Sequence, residues 1–207
     1  MQTLIDLTLP LTDRMPVYPG DDPPHLTRVN ELVRDGFNNF SITASMHTGT
    51  HIDGPMHLTA NEKYLEEFPA ERFIGNGCVL DVSGKSLVLP LPEYASRIQP
   101  KSIVVLYTGM SKFFGTDAYF TAHPVVSMEL ARLFVDREVK MVCLDSPSPD
   151  RHPYEIHKFL LEHGVLLAEN LTNCDRLLSV RAFEILALPL KIHADSSPAR
   201  IIARIPE

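Results

Sequence analysis

Short apolar segments recur along the chain and predict a series of strands separated by helices and loops. The segments predicted as strands are Leu4–Leu9, Cys78–Val82, Ile103–Tyr107, Val139–Leu144, Val165–Ala168, Phe183–Leu188 and Ile201–Ile205. Several are apolar at consecutive positions, which is typical of strands covered on both faces. Other patterns predict short helices over Pro92–Ile98, Ser127–Asp136 and Pro153–His163, with Ser127 as an N-cap and Pro153 as a first helical residue.

A loop and a hairpin are predicted near the start of the chain. Four prolines in residues 15–24 disfavour a helix or a central strand, so this segment is predicted to be a rigid loop. Asp35-Gly36 is a strong turn signal between His25–Val33 and the segment that begins at Phe40, which predicts a hairpin. From Phe40 to His47 apolar and polar residues alternate, which predicts a half-buried strand with His47 on its polar face.

Together these elements predict one α/β domain over residues 1–207, with a mixed, largely antiparallel sheet as its core and short helices at its periphery.

The chain has 207 residues, of which 19 are Lys or Arg and 26 are Asp or Glu, so its net charge is −7 with His neutral. This acidic balance lacks the basic surface that nucleic-acid or anionic-membrane binding needs. No apolar run approaches the roughly 20 residues of a membrane span, and no secretory signal is recognised, so a cytoplasmic protein is expected.

The cysteines and histidines narrow the chemistry further. Cys78, Cys143 and Cys174 form no Cys-x-x-Cys pair, which argues against a disulfide framework and a thiolate zinc site. Nine histidines occur in a chain without tryptophan, and three of them lie within eleven positions. The histidines are therefore the first candidates for a functional site.

The densest polar cluster is Met46–His57. In an extended conformation His47, Gly49, His51 and Asp53 share one face, and Gly49 leaves space between the two imidazoles. Neutral imidazoles and a carboxylate are ligands that suit Zn²⁺, Mn²⁺ or Fe²⁺, and three protein ligands with an open position are typical of a catalytic metal site. The alternative is a polar strand whose side chains simply face solvent.

The segment His47–His57 resembles the signature His-x-Gly-Thr-His-x-Asp-x-Pro-x-His of the cyclase family of metal-dependent hydrolases, which includes bacterial kynurenine formamidase. The similarity extends to the loop Pro16–Asp21, to His157 with Glu169, and to Ser197–Arg200. It covers most of the chain. The resemblance implies the family's swivelling β/β/α-like fold and a homodimer.

The resemblance also implies a binuclear site. A first divalent ion would be bound by His47, His51 and Asp53. Asp53 and Glu169 would bridge to a second ion, which His157 completes. His57 would be the general acid/base. Zn²⁺ is the first expectation for both ions, and Mn²⁺ is the second.

The residues alone leave the distal ligands more open. His157 lies beside an apolar helical stripe, where a lone histidine also fits a partly solvated surface position. Glu169 closes a buried apolar run and needs a charge partner there. Asp145 ends a similar run and is a candidate hydrogen-bond partner for a ligating histidine. The remaining histidines are interpreted as loop or structural residues: His25, His123, His152, His163 and His193.

The implied reaction is hydrolysis of a small amide by a metal-bound hydroxide, with His57 exchanging the proton. The expected activity is arylformamidase-like, the conversion of N-formylkynurenine to kynurenine and formate in tryptophan catabolism. Tyr18 stands where formamidases of the family carry a Trp, so its ring is expected to line the substrate pocket. Two alternatives remain: a cyclic-amide hydrolase of the isatin type, or a protein that binds a metal or small molecule without turnover.

Overall fold

Twelve strands and five short helices are present in residues 3–206, the part of the chain that the computed structural model describes. The strands are β1 (Thr3–Asp6), β2 (His25–Asn30), β3 (Asn39–Thr43), β4 (His51–Asp53), β5 (Ile74–Asp81), β6 (Leu87–Val88), β7 (Ile103–Tyr107), β8 (Val125–Val126), β9 (Met141–Leu144), β10 (Leu166–Glu169), β11 (Glu184–Pro189) and β12 (Ser196–Ile205). The helices are α1 (Leu32–Asp35), α2 (Pro92–Arg97), α3 (Asp117–Thr121), α4 (Met128–Asp136) and α5 (Glu155–Glu162).

Eight of these strands form one sheet that closes on itself. Their order is β1-β12-β11-β5-β7-β9-β10-β4, and β4 also pairs with the first residues of β12. Five of the eight pairings are antiparallel, and the three among β5, β7, β9 and β10 are parallel. The predicted α/β class with a mixed, largely antiparallel sheet is therefore confirmed. Because β4, at one end of this order, pairs with β12, which lies next to the other end, seven of the strands form a closed ring that encloses a core as a barrel does.

Both faces of the central strands are covered, which explains their consecutive apolar residues. In β7, Ile103 and Val105 belong to the core inside the closed sheet, together with residues of every other strand of the ring. Val104 and Leu106 belong to a second core, which lies between the sheet and the helices α2, α4 and α5. Among residues 3–206, none of the helices combines the length and the apolar character that crossing a bilayer requires.

Most predicted elements are present with shifted ends. All seven predicted strands are found, although β1 ends at Asp6 rather than Leu9. Ser127 caps α4, since its hydroxyl accepts a hydrogen bond from the Leu130 amide. The prediction for Pro153 was wrong: Tyr154 adopts a left-handed conformation there, and α5 begins only at Glu155.

The predicted half-buried strand from Phe40 to His47 was also wrong. The strand β3 ends at Thr43, and all five of its residues are exposed because β2 is its only neighbour in the sheet pairing. Residues 46–50 form turns instead of continuing the strand, and Gly49 has a φ of +64° there. The alternation reflected a hairpin without a covered face rather than a strand of the main sheet.

Candidate metal centre

Strand pairing brings the candidate ligands together at one end of β4. This strand lies between β10 and β12, with His51 opposite Glu169 and Asp53 opposite Ser196. Both His51 and Asp53 are fully enclosed, and because they are two positions apart in a strand they share a face, as predicted. The polar residues of β4 therefore meet the end of β10.

His47, His57 and His157 reach the same point from outside the sheet. The turn at residues 46–50 brings Nδ1 of His47 to 2.9 Å from Oδ1 of Asp53, so His47 meets the cluster although it does not lie in the predicted strand. A 3-10 turn over Pro55–His57 brings the ring centroid of His57 to 4.1 Å from that of His47. His157 lies on α5 and is buried, which excludes the solvated surface position considered for it.

Carboxylate and imidazole atoms converge without normal hydrogen bonds. Within the cluster, four buried atoms have no hydrogen-bond partner: Nε2 of His51, Oδ1 and Oδ2 of Asp53, and Oε1 of Glu169. Nitrogen atoms of His47, His51 and His157 lie 2.9, 3.3 and 3.6 Å from the Asp53 oxygens. Nε2 of His157 lies 3.1 Å from Oε1 of Glu169. Buried atoms of these types that lack hydrogen bonds fit a divalent metal ion.

Two groups of possible ligands share one residue. His51, Asp53 and Glu169 offer ligand atoms within 4.8 Å of one another, and so do His47, Asp53 and His57. Asp53 belongs to both groups, which fits a carboxylate that contacts two ions. His57 lies close enough to be either a ligand or an acid/base, so its role stays a prediction.

Each candidate imidazole ligand is oriented through its other ring nitrogen. Nδ1 of His51 bonds the Gly49 carbonyl at 2.8 Å. Nδ1 of His157 bonds Asp150 at 2.9 Å, and Nε2 of His47 bonds Asp195 at 3.0 Å. Carbonyl and carboxylate partners of this kind fix the tautomer and ring orientation of metal-binding histidines.

Asp150 and Asp195, the carboxylates that bond His157 and His47, were not predicted from the sequence. The carboxylate that was predicted as such a partner, Asp145, is the wrong one. Asp145 contacts none of the histidines of the cluster: it accepts hydrogen bonds from the Thr108 amide and hydroxyl, the Gly109 amide and the Ser111 hydroxyl. The available signal for Asp195 was its position two residues before the segment Ser197–Arg200, which belongs to the resemblance. Nothing local distinguished Asp150, which precedes His157 by seven residues.

The carboxylates of the metal-free cluster raise the pKa values of its histidines. Burial disfavours the imidazolium of His47, but the hydrogen-bonded Asp195 and the nearby Asp53 outweigh it and raise the pKa of His47 to about 10. Burial also opposes protonation of His51, and the Asp53 and Glu169 charges still raise its pKa. Burial would raise the pKa of Asp53, yet the surrounding imidazoles hold it well below its usual range. A divalent cation could replace these protons as the counter-charge.

A cavity of about 240 Å³ opens beside the cluster. His47, His51, His57, His157 and Glu169 form its polar side, and its apolar side is formed by Pro16, Val17, Tyr18, Leu58, Phe114, Phe120, Pro147 and Tyr154. The ring of Tyr18 packs edge-on against Phe120, with centroids 6.1 Å apart. Burial and the neighbouring Tyr154 hydroxyl raise the pKa of Tyr18 to about 12, so this phenol stays neutral at physiological pH. The small volume favours a small ligand.

The other histidines lie apart from the cluster. Nε2 of His123 bonds the carbonyl of Asp150, so this fully buried residue supports the loop that carries the partner of His157. His163 bonds the Phe159 carbonyl at the end of α5, and His193 pairs with Glu66 at the surface. These positions agree with the structural roles expected for them.

Comparisons with known proteins find relatives that match this chain over most of its length. A family model described as cyclase matches residues 5–151. An uncharacterized protein of Methanocaldococcus jannaschii, MJ0783, is 33% identical over 204 residues, which cover 97% of this chain and 98% of that protein. A structure described as a potential metal-dependent hydrolase with cyclase activity has a TM-score of 0.82 and 26% identity, with all of both chains covered. Isatin hydrolase A of Labrenzia aggregata, bound to benzyl benzoate, has a TM-score of 0.87 and 25% identity, covering 100% of this chain and 94% of that one.

Proposed function

We propose, from the premise that this chain belongs to the cyclase family of metal-dependent hydrolases, that it hydrolyses the carbon–nitrogen bond of a small aryl amide. The first candidate is an arylformamidase reaction, with N-formylkynurenine cleaved to kynurenine and formate. One observation carries this proposal: the buried imidazole and carboxylate atoms without hydrogen bonds adjoin a small cavity whose apolar side contains four aromatic rings. A flat aryl group can stack on the aromatic side while its amide lies against the polar side.

The ligands proposed for two divalent ions are His47, His51, Asp53, His157 and Glu169. Asp53 would serve both ions, because it belongs to both groups of ligand atoms. Zn²⁺ is proposed first and Mn²⁺ second, since both accept imidazole and carboxylate ligands. When bound, such ions polarise a carbonyl and lower the pKa of water toward about 7.

His57 is proposed as the general acid/base. Its Nδ1 lies 3.5 Å from Oδ2 of Asp195, which leaves Nε2 available to the cavity that the ring lines. The side chain is 28% exposed, so it can exchange protons with solvent between turnovers. In the proposed reaction His57 takes a proton from the attacking water and delivers it to the leaving nitrogen.

Hydrolysis of a cyclic amide is the second candidate. The observation that favours it is the fold similarity to isatin hydrolase A over the whole of this chain. A cyclic amide needs the same proton transfer to nitrogen, but its two product groups stay on one molecule. A compact bicyclic substrate would also suit a cavity of about 240 Å³.

A homodimer is proposed as the assembly. The hairpin of β2, α1 and β3 has six exposed large apolar side chains: Val29, Leu32, Val33, Phe37, Phe40 and Ile42. A two-stranded hairpin with both faces in water is marginally stable at best. Burial of this hairpin against a second copy of the chain would remove that exposure.

The experiment is a substrate panel on protein reconstituted with Zn²⁺ or Mn²⁺. The panel contains a formanilide, N-formylkynurenine, isatin and an aryl lactone, and metal-stripped protein is the control. Faster hydrolysis of the formamides supports the first candidate, and preferential opening of isatin supports the second. If the metal-loaded protein turns over no member of the panel faster than the stripped protein, the proposed function is wrong.

A further inference from the structure

Asn170 connects three parts of the chain beside the metal cluster. It follows Glu169 directly, is 9% exposed, and has a φ of +58°, a left-handed conformation that Asn tolerates better than most residues. All four of its polar groups are hydrogen-bonded. The partners are the Ser146 carbonyl at 3.0 Å, the Thr50 hydroxyl at 2.6 Å, the Tyr119 hydroxyl at 2.7 Å and the Gly49 carbonyl at 2.9 Å.

Among these partners, the carbonyl of Gly49 links Asn170 to His51, a candidate metal ligand. It accepts a hydrogen bond from Nδ2 of Asn170 and another from Nδ1 of His51. Gly49 lies in a turn, where no strand pairing fixes the direction of its carbonyl. The two donors therefore hold this oxygen between them. With Nδ1 of His51 committed to the carbonyl, Nε2 is the nitrogen that faces Asp53.

Tyr119 determines which way the amide of Asn170 points. Its hydroxyl donates to Oδ1, so the NH₂ group is the end that faces Gly49. A reversed amide would place two acceptor oxygens against each other and leave the buried Tyr119 hydroxyl without an acceptor there. The buried chain of hydrogen bonds thus runs from Tyr119 through Asn170 and Gly49 to His51.

We infer that Asn170 is a positioning residue for the metal centre: it holds the Gly49 carbonyl and so orients the ring of His51, with Tyr119 fixing its amide. This inference rests on the proposed metal-dependent function. Partners of this kind set the basicity and geometry of a ligating imidazole, and their loss typically weakens metal affinity 10–100-fold. Because Asn170 acts through a shared carbonyl, the expected loss is about tenfold, at the low end of that range.

The central variant is Asn170→Gly, because glycine accepts a positive φ and the substitution removes the amide without straining the backbone. The matched control is Asn173→Gly: Asn173 also has a positive φ, of +57°, but its exposed amide bonds the Asp6 carbonyl away from the cluster. Tyr119→Phe keeps the ring and removes the donor to Asn170, so it should weaken metal binding by less than Asn170→Gly. A double variant, Tyr119→Phe with Asn170→Gly, leaves no hydroxyl unpaired and should match Asn170→Gly.

The readouts are the Zn²⁺ dissociation constant from chelator competition, the melting temperature, and the NMR signal of the His51 Nδ1 proton in the Zn²⁺-loaded protein. Asn170→Gly should weaken Zn²⁺ about tenfold and speed exchange of that proton, while Asn173→Gly changes neither. If Asn170→Gly binds Zn²⁺ as tightly as the wild type, or if Asn173→Gly weakens it equally, the inference is wrong while the proposed function stands. If the wild type itself binds no divalent ion, the proposed function fails and this inference with it.

Discussion

Nε2 of His47 donates a hydrogen bond of 3.0 Å to Asp195, a residue 148 positions further along the chain. The closed sheet makes this contact possible, since Ser196 at the start of β12 pairs with Asp53 in β4. The same carboxylate lies 3.5 Å from Nδ1 of His57. Asp195 therefore touches one candidate ligand and the candidate acid/base at once.

Asp195→Ala should weaken divalent-metal binding 10–100-fold, because Nε2 of His47 loses its carboxylate partner and keeps only the neutral Ser196 hydroxyl, which also lies 3.0 Å away. It should also lower kcat, because His57 loses a neighbouring carboxylate. The measurements are chelator competition and steady-state kinetics on the best substrate of the panel. Asp175→Ala, at an exposed position, is the control. Unchanged affinity and kcat with a lower melting temperature would reduce Asp195 to a structural residue.

His57→Ala separates the two possible roles of that residue. If His57 is the general acid/base, its removal should lower kcat about 10²–10⁴-fold and leave the metal content unchanged. Elemental analysis and kinetics on the same preparation provide both values. His193→Ala, which alters an exposed surface histidine, should change neither. Loss of one metal equivalent from the His57 variant would instead make His57 a ligand of the group it forms with His47 and Asp53.

Metal binding should release protons at neutral pH. The pKa of His47 in the metal-free protein is raised to about 10, so its imidazole is charged at pH 7 and must lose a proton to become a ligand. Apparent metal affinity should therefore rise as the pH increases from 7 toward 10. Titration calorimetry in two buffers of different ionisation enthalpy measures the protons released. Equal enthalpies in both buffers would contradict this prediction.

The same pKa predicts how the stability of the metal-free protein depends on pH. Because the pKa of His47 is higher in the folded state than the unperturbed value of about 6.5, its stabilisation is complete below that pH and is lost as the pH rises through about 10. The pKa of Asp195 is lowered by hydrogen bonds from His47 and His57, so its contribution is complete above about pH 4 and is lost in more acidic solution. Melting curves in EDTA should show the alkaline decline, and His47→Gln should flatten it.

Tyr18→Ala should lower kcat/KM for an aryl formamide, because it removes an aromatic contact with the substrate. Beyond the effect of the lost contact area, the loss of transition-state binding free energy should be about 0.5–1.5 kcal/mol. Tyr18→Phe should retain most of the activity, since the ring remains beside Phe120. The comparison substrate is an alkyl formamide, which cannot stack. Equal losses for both substrates together with a lower melting temperature would show that Tyr18 only packs the loop.

Phe40→Ser combined with Ile42→Ser should convert the proposed dimer to a monomer. Both side chains are exposed, at 60% and 58%, and because they are two positions apart in β3 they lie on one face of that strand. Light scattering after gel filtration should give about twice the 23.2 kDa chain mass for the wild type and the chain mass for the variant. Leu178→Ser, at an exposed position outside the hairpin, is the control. A monomeric wild type would contradict the proposal.

The sequence predicted the elements whose signals are local. Consecutive apolar residues in β7 and β9 indicated strands with two covered faces, and Ser127 marked the start of α4. Both signals depend only on residues that are close together in the sequence. The alternation after Phe40 led to a wrong prediction of a half-buried strand for the same reason. Periodicity indicates an extended strand, but it does not show whether another layer of the fold covers the apolar face of that strand.

The sequence by itself determined the family, the α/β class and the cluster of His47, His51 and Asp53, since that motif places its chemistry within a few positions. Only the tertiary structure decided which groups surround it. Asp195 and Asn170 lie 148 and 121 positions from the residues they hold, His47 and Gly49. Contacts over such separations depend on the closure of the sheet between β4 and β12 and on the pairing of β10 with β4. The candidate ligands His47, His51 and Asp53 are close together in the sequence. Their contacts with His157 and Glu169, and the hydrogen bonds that orient their rings, form only when the chain folds.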